Sequence, residues 1–164
     1  MDTAVAPIDE SVRSLNANDL ERVVEIDRMH SGHSRRRFFE KRFAAAAVSP
    51  DDFVQLGLVR DGALRGFAIA RLLRGEFGRQ DAAAVLDVLG VAPDSQEQGV
   101  GQALIERLVA IVREKGIRSL HSQAPWTNVQ LLHFFEAAGF RLSPRTVLDR
   151  SVAEPLIEPL EEPL

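Results

Sequence analysis

The stretch VLDVLGVAPDSQEQGVGQALIERLVAIV, residues 85–112, decides the fold class of this chain. It begins with a run dominated by strand-forming residues, which Pro93 ends. A polar loop containing Gly-Val-Gly follows and leads into an amphipathic helix whose first turn carries no charge. The first N–H groups of a helix have no internal partner, and the helix dipole adds positive charge there. The stretch therefore predicts a site for a phosphate or another anion, directly after a buried strand.

The order of the elements around this stretch indicates an α+β (α/β) fold. Hydrophobic periodicity and turn signals predict a strand, two helices, three strands, a helix, a strand, a helix and two closing strands. These elements cover residues 11–15, 20–30, 35–47, 52–60, 64–73, 82–91, 99–116, 117–123, 127–139, 140–143 and 146–152. Because hairpins and crossover helices are mixed, we expect a mixed, mostly antiparallel central sheet of six to seven strands, flanked by about four helices.

Capping signals mark where two of the helices begin. Asn18 or Asp19 is expected to cap the first helix, because a short polar side chain there can accept a hydrogen bond from a free N–H group. The pattern Thr127-x-x-Gln130 predicts a capping box at the start of the last helix.

Length and composition suit one globular domain. The chain has 164 residues, of which 45% are hydrophobic, and we place a single domain at residues 1–152. Residues 153–164 have a proline at every fourth position, so we expect an extended or disordered tail. The tail is expected either to remain unstructured or to reach across a homodimer.

Several classes of protein are disfavoured by the composition. The net charge of −4 argues against a partner made of nucleic acid. The absence of cysteine excludes disulfides, thiolate metal sites and an acyl-cysteine intermediate. No apolar stretch approaches the roughly 18 residues that cross a membrane, and the N-terminus does not resemble a signal peptide. We therefore expect a cytoplasmic protein.

Three kinds of phosphate-binding loop compete for the Gly-Val-Gly segment. A P-loop requires Gly-Lys-Ser or Gly-Lys-Thr, which the chain lacks. A dinucleotide-binding loop requires a small residue at the position of Leu104 and an acidic residue at the end of the next strand. The next predicted strand, residues 117–123, contains no acidic residue. The remaining pattern is Gln/Arg-x-x-Gly-x-Gly/Ala, which Gln96, Gly99 and Gly101 match.

This loop resembles the acyl-CoA-binding motif of the GNAT superfamily of N-acetyltransferases. A second stretch, NVQLLHFFEAAGF at residues 128–140, is similar to the C-terminal motif of the same family. Together the two motifs cover roughly residues 85–141. The resemblance implies a GNAT-like fold with splayed central strands. It also implies an enzyme that transfers an acetyl group from acetyl-CoA directly to a primary amine of a small molecule, a peptide or a protein.

The resemblance further implies which residues hold the coenzyme. Main-chain groups of the strand are expected to bind the pantetheine arm of the coenzyme. Main-chain groups of the loop are expected to bind the pyrophosphate of the coenzyme. The implied residues are Leu89, Val91, Gln96, Glu97, Gln98, Gly99, Val100, Gly101, Gln102, Ala103, Asn128 and Phe135. Gln98 stands where the family often has Arg, and this departure removes one counter-charge for the pyrophosphate. Gly90, within the strand, indicates a bulge or a close backbone approach.

Acetyl transfer needs a proton acceptor for the amine and a stabilising donor for the carbonyl oxygen. Asp87 is the candidate base, because it is the one carboxylate in an otherwise apolar strand. Period-two geometry places it on one face with Val85, Leu89 and Val91, and apolar neighbours favour proton uptake by a carboxylate. The alternative is a solvated or salt-bridged Asp87. A strand amide near Leu89 or Val91 suits the carbonyl oxygen.

A proton donor for the leaving thiolate is missing from its family position. The family's Tyr falls at Phe135, and the chain has no tyrosine. Ser122 and His133 are the stand-ins, although His133 is expected to face outward. Asn128 is expected to cap the last helix, to contact the pantetheine or the attacking group, or to do both. This gap leaves a catalytically weak or inactive acyl-CoA-binding module as the alternative function.

The acceptor side is expected around the first two helices, which line the acceptor pocket in the family. The resemblance therefore implies substrate contacts for His30 and His33, and Trp126 is expected to border the site or to act as a core aromatic. The basic segment at residues 33–43 is expected to meet an acidic acceptor or to form a solvated helix face. His30 and His33 have metal-like spacing, but a third ligand is not evident, so we expect no metal.

Overall fold

The computed structural model describes residues 10–78 and 80–152, and its elements within them follow the predicted order. The strands are β1 (Glu10–Ser14), β2 (Phe53–Arg60), β3 (Ala63–Arg74), β4 (Ala82–Val91) and β5 (Leu120–His121). The helices are α1 (Leu20–Ser31), α2 (Arg36–Val48), α3 (Val100–Glu114) and α4 (Val129–Ala137). Short 3-10 turns lie at Ala17–Asp19, Pro50–Asp52, Glu76–Gly78 and Pro93–Ser95.

The five strands form one sheet in the order β1-β2-β3-β4-β5. Neighbours from β1 to β4 are antiparallel, whereas β4 and β5 are parallel. A parallel pair needs a crossover connection, and α3 supplies it between β4 and β5. This arrangement confirms the predicted α+β fold with a mixed, mostly antiparallel sheet.

Each face of the sheet is covered by its own hydrophobic cluster. On one face, α3 packs Leu104 and Leu108 against strand residues such as Leu58, and all three are fully buried. On the other face, α1 and α2 bury residues such as Phe39 against Phe67 of β3. Burial on both faces explains why the central strands are almost continuously apolar in sequence.

The register of β4 breaks at one point in its centre. Ile69 of β3 lies opposite Val88, and the next residue, Ala70, lies opposite Leu86. Asp87 is thus left without an opposite residue, which is the geometry of a β-bulge. The sequence predicted either a bulge or a close backbone approach at Gly90. The bulge lies instead at Asp87, where no glycine indicates it.

Gly90 has the other predicted role, a close backbone approach. A Cβ atom there would lie 2.5 Å from the ring of Phe67 and 3.3 Å from Ile26. The glycine therefore lets the aromatic ring of β3 and a residue of α1 close over the strand.

β4 separates from β5 after only two residue pairs. Ala84 lies opposite Leu120, and Val85 lies opposite His121. One residue further, the hydroxyl of Ser122 donates to the carbonyl of Leu86 at 3.2 Å. Beyond that contact, no strand among the described residues lies beside the C-terminal half of β4 on the side away from β3. The predicted splaying of the central strands is present.

The two closing strands predicted at residues 140–143 and 146–152 are not formed, so the expectation of six to seven strands was slightly too high. Leu142, Leu148 and Val152 are 95%, 88% and 92% exposed. Their sequence alternates as a strand does, but a strand also needs a partner edge, and no described residue pairs with them. Alternation alone therefore overestimated the sheet.

Two capping predictions were off by one or a few residues. The first helical turn is capped by Asn16, whose side chain accepts from the N–H of Asn18 at 2.9 Å, rather than by Asn18 or Asp19. The last helix is capped by Asn128, which accepts from the N–H of Leu131 at 3.1 Å. A short 3-10 turn before α1 moved the first cap upstream, because it extends the helical path by one turn.

No helix in the described part of the chain is long and apolar enough to cross a membrane. The predicted tail at residues 153–164 lies outside the described residues.

An ion pair holds β1 to the start of α1. Arg13 donates to both carboxylate oxygens of Asp19, at 2.7 and 2.9 Å, and the backbone N–H of Asn16 donates to the same carboxylate at 2.8 Å. The Arg13 hydrogen bonds, assisted by the Asn16 N–H, lower the pKa of Asp19 below its ordinary value of 3.8. A carboxyl whose pKa is lower when folded stabilises the fold above its ordinary pKa, and that contribution is lost as the pH falls through the folded value.

We predict that Asp19→Asn lowers the free energy of unfolding by about 1–2 kcal/mol at pH 7, a figure discounted for the partial exposure of Arg13. The difference from the unmodified protein should shrink as the pH falls below 3.8, because the native carboxyl is then protonated as well. Urea unfolding at a series of pH values measures this. A difference that is the same at pH 7 and in acid contradicts the ion-pair account.

Candidate functional site

The exposed edge of β4 carries free main-chain groups at Leu89 and a free N–H at Val91, whose carbonyl is bonded to His30. The N–H of Ala92 donates to Arg65 of β3 at 2.7 Å. In an antiparallel pair, successive residues direct their N–H and C=O groups alternately toward and away from the partner. Leu89 and Val91 therefore direct theirs away from β3, into the gap that β5 leaves. This is the edge that the sequence predicted for pantetheine.

The loop after β4 is held open by two residues in the left-handed region. Glu97 has φ +58° and Gly99 has φ +79°, and Gly99 is the N-cap residue of α3 with no side-chain cap. Within the described part of the chain, no hydrogen bond acceptor is found for the N–H groups of residues 97–102, and the first bond of the helix is from Ala103 to Gly99. The unpaired donors are thus available to an external anion.

The remaining loop residues position this backbone. Val100 is buried beneath the helix start, whereas Gln96, Glu97, Gln98 and Gly99 are exposed. Gln98 also donates from its side chain to the carbonyl of Asp94 at 3.0 Å, which closes the loop on itself. The buried valine anchors the loop, while the polar residues leave its outer face open.

Gly101 makes room for an aromatic side chain of α4. A Cβ atom there would lie 3.0 Å from the ring of Phe134 and 3.7 Å from Val91. The half-buried Phe134 of α4 therefore packs over the helix start, next to the free edge of β4. Phe134 was not among the residues predicted from the sequence; its neighbour Phe135, at the family's Tyr position, was.

Phe135 lies in the core. It is 9% exposed and contacts Phe140, with ring centroids 4.9 Å apart, as well as Phe134. Of the two adjacent rings, Phe134 is the one beside the loop.

Asp87 does not have the apolar surroundings that the strand pattern predicted. Both of its oxygens accept hydrogen bonds from Arg71, at 2.6 and 3.0 Å, and Arg42 of α2 lies 3.3 Å from one of them. These hydrogen bonds raise the pKa of Arg71 above its ordinary value. Asp87 is therefore salt-bridged, which is the alternative that the sequence analysis left open.

The β-bulge also changes the face that Asp87 occupies. Val88 packs with the cluster under α1 and α2, whereas Leu89 and Val91 pack against the α3 cluster. Asp87 meets Arg42 on the α2 side, so it does not share a face with Leu89 and Val91 as period-two geometry predicted. An unpaired residue in the ladder reverses the alternation for everything beyond it.

Ser122 and Asn128 lie on the two segments that border the gap beside β4. Ser122 is half-buried at the point where the strands separate. Asn128 is exposed and uses its side-chain oxygen to cap α4, as one of the two predicted roles requires. His133 is 74% exposed, lies 3.8 Å from Glu136, and is not part of this constellation.

The two predicted acceptor histidines behave differently. His30, at the end of α1, places Nε2 2.5 Å from the carbonyl oxygen of Val91. His33 turns back on its own loop, with Nδ1 2.9 Å from the carbonyl of Ser31. Trp126 is 86% exposed on the segment between β5 and α4, which is not the position of a core aromatic. Of the two histidines predicted to contact the acceptor, His30 is therefore the one that reaches the edge of β4.

No group of three or more His, Cys, Asp or Glu side chains in the described residues could hold a metal ion.

Comparison with known proteins gives concordant results. A sequence profile of the Acetyltransferase (GNAT) family matches residues 15–140. The ribosomal protein bS18-alanine N-acetyltransferase of Escherichia coli K12 is 26% identical over 130 residues, which are 79% of this chain and 80% of that protein. Aminoglycoside N(6')-acetyltransferase type 1 of Stenotrophomonas maltophilia is 34% identical over 104 residues, covering 62% of this chain and 68% of that protein.

A solved structure shares the fold. The aminoglycoside N-acetyltransferase AAC(6')-Iy in complex with CoA superposes with a TM-score of 0.75 at 19% sequence identity. The superposition covers 90% of this chain and 99% of that one.

The Asp87–Arg71 pair can be tested by a double-mutant cycle. We predict that Asp87→Asn lowers the free energy of unfolding by about 1–2 kcal/mol, because it leaves two guanidinium groups without their anion. Asp87→Asn combined with Arg71→Gln should cost less than the sum of the single changes. The matched control is the exposed pair Arg74 and Asp52, 3.2 Å apart, for which we expect coupling near zero. Strict additivity at Asp87 and Arg71 would show that the pair does not form in solution.

Proposed function

The chain belongs to the GNAT family of acetyltransferases, and on that premise we propose that it transfers an acetyl group from acetyl-CoA directly to a primary amine. The observation that carries the proposal is the edge of β4, where the main-chain groups of Leu89 and the N–H of Val91 have no protein partner. This edge leads directly to the unpaired N–H groups of the following loop. Acetyl-CoA is complementary to both features: its pantetheine arm suits the edge of β4, and its pyrophosphate suits the N–H groups of the loop.

The described geometry fits this co-substrate. An amide carbonyl of the pantetheine arm would accept from the N–H of Val91 where β5 no longer pairs with β4, as a peptide adds to a sheet edge. The pyrophosphate would accept hydrogen bonds from the N–H groups of residues 97–102, at the positive end of the α3 dipole. Asn128 and Phe134 border the arm from the α4 side.

In the proposed reaction the amine nitrogen bonds to the acetyl carbon, and the carbon–sulfur bond breaks. The N–H of Leu89 donates to the carbonyl oxygen as it becomes negative. The amine gives up one proton, and the leaving thiolate gains one. Asp87 remains a proposed acceptor for the first proton, which would reach it through water. The ion pair with Arg71 opposes this proton uptake, because it favours the charged carboxylate. Ser122 remains a proposed donor for the second, since it lies where the strands part.

We propose that the acceptor approaches between α1 and the gap beside β4, with His30, His33 and Trp126 on its route. The bS18-alanine enzyme is named for a protein N-terminus, and the Stenotrophomonas enzyme for an aminoglycoside. Residues 20–48, which span α1 and α2, contain seven arginines and lysines against four carboxylates. This excess of positive charge repels a polycation, so a peptide amine suits the acceptor side better than an aminoglycoside does.

Three further points complete the proposal. We place the protein in the cytoplasm, where acetyl-CoA is available. We assign residues 1–152 to one acyltransferase domain, and residues 153–164 to a tail. The exposed apolar side chains of Leu142, Leu148 and Val152 suit burial against a second copy, so we propose a homodimer.

The alternative function is a catalytically inactive acyl-CoA-binding module. It is favoured by one observation, the presence of a buried phenylalanine at position 135, where the family's proton donor would stand. Loss of such a donor costs on the order of 100-fold or more in rate.

Thiol release from acetyl-CoA separates the two functions. We expect release to depend on an added amine, and to be faster with a peptide that begins with alanine than with the aminoglycoside sisomicin. Tight acetyl-CoA binding, measured by calorimetry, with no release on any amine supports the binding module. Absence of binding overturns both.

The pyrophosphate site is tested by adding negative charge to the first turn of α3. We predict that Gln102→Glu weakens acetyl-CoA binding about three- to tenfold, because the carboxylate repels the phosphates at the helix N-terminus. The matched control is Gln80→Glu, the same substitution on an exposed loop at the opposite end of β4. Equal dissociation constants for the two variants, measured by calorimetry, would place the phosphates elsewhere.

A further inference from the structure

The loop that we assign to the pyrophosphate has no positive side chain of its own. Residues 94–103 read DSQEQGVGQA, with two carboxylates and no lysine or arginine. Gln98 stands where the family often has an arginine. A diphosphate placed on these backbone donors therefore lacks a neighbouring cation within the loop, and two carboxylates oppose it.

An arginine from a distant part of the sequence is attached to this same glutamine. Arg60, the last residue of β2, donates from Nη1 to the side-chain oxygen of Gln98 at 2.8 Å. Its Nη2 lies 3.3 Å from the carbonyl oxygen of Gln98. The guanidinium thus reaches the residue directly before Gly99, next to the unpaired N–H groups.

Arg60 is held in one orientation on its other side by Glu10 of β1. Nε donates to the Glu10 carboxylate at 2.8 Å, and Nη2 lies 2.6 Å from it. The side chain is only 15% exposed, so the long chain is ordered before a ligand arrives. A cation whose position is fixed in advance loses little entropy on binding an anion.

Two other cations are less well placed. Arg65 pairs with Asp94 at 3.4 Å, at the beginning of the loop and away from the helix start. Arg107 lies in the second turn of α3, beyond the free N–H groups. Arg60 is the guanidinium bonded to the loop residue that adjoins the donors.

We propose that Arg60 supplies the counter-charge for the coenzyme diphosphate, and that Gln98 positions it by hydrogen bonding. This inference rests on the proposed function. Arg60, at the end of β2, thus takes the place of the arginine that the family often has at the position of Gln98. Glu10 orients Arg60 and also competes with the diphosphate for its charge.

The test is the dissociation constant of CoA and of dephospho-CoA, which keeps the diphosphate but lacks the 3'-phosphate, measured by calorimetry at two salt concentrations. We expect Arg60→Gln to weaken both ligands by about tenfold or more, with a shallower salt dependence, because one charge-assisted contact is lost. Glu10→Gln should bind both ligands more tightly. Arg60→Gln combined with Gln98→Arg should recover most of the affinity.

The matched control is Arg74→Gln, which removes the same charge at the far end of β3, and we expect it to leave binding unchanged. Glu10→Gln and the rescue variant keep the test informative if Arg60→Gln perturbs the loop, since both require improved binding. Unchanged affinity in Arg60→Gln, or a loss confined to CoA, overturns the assignment of Arg60 to the diphosphate. Failure of the unaltered protein to bind either ligand overturns the proposed function itself.

Discussion

The unequal pairing of β4 is the constraint on which the rest of the structure depends. This strand is paired with β3 from Ala82 to Val91, but with β5 only at Ala84 and Val85. Backbone N–H and C=O groups need partners when they are removed from water. On the side away from β3, the main-chain groups of Leu89 and the N–H of Val91 therefore remain available to an extended ligand. The glycine-rich loop continues the same row of free donors into the start of α3, so a strand edge and a helix N-terminus form one continuous surface.

Two sets of charged side chains position the backbone beside the site. Asp87 ties α2 and β3 to the bulge of β4, through Arg42 and Arg71. Arg60 joins β1, β2 and the loop after β4 in a similar way. Because an ion pair that is partly buried needs both partners, each of these contacts restricts the geometry of the strand or loop beside the site. The proposed chemistry is accordingly carried more by main-chain groups than by titratable side chains.

The absence of a tyrosine constrains how any acetyl transfer can occur. Phe135 is enclosed by Phe134 and Phe140, so its ring contributes to the packing of α4 and not to the open edge. The half-buried Phe134 lies beside the loop in its place. A site built from the Leu89 N–H and a nearby aromatic ring can orient a thioester and stabilise its carbonyl oxygen. Proton transfer would then pass through water or through Asp87 and Ser122, the two groups proposed for it.

Local signals in the sequence were enough to predict the element order, the bounds of β4, the open loop and the family. Each depends on residues close together in the chain: a strand run ended by Pro93, glycines that adopt positive φ, and an amphipathic period. The bulge at Asp87, the loss of the two closing strands and the identity of the ring beside Gly101 could not be read in this way. They depend on which strand edge finds a partner and on which side chains meet from distant segments. Arg60 is the clearest case, because its place beside Gln98 exists only once β2 and the loop after β4 are folded against each other.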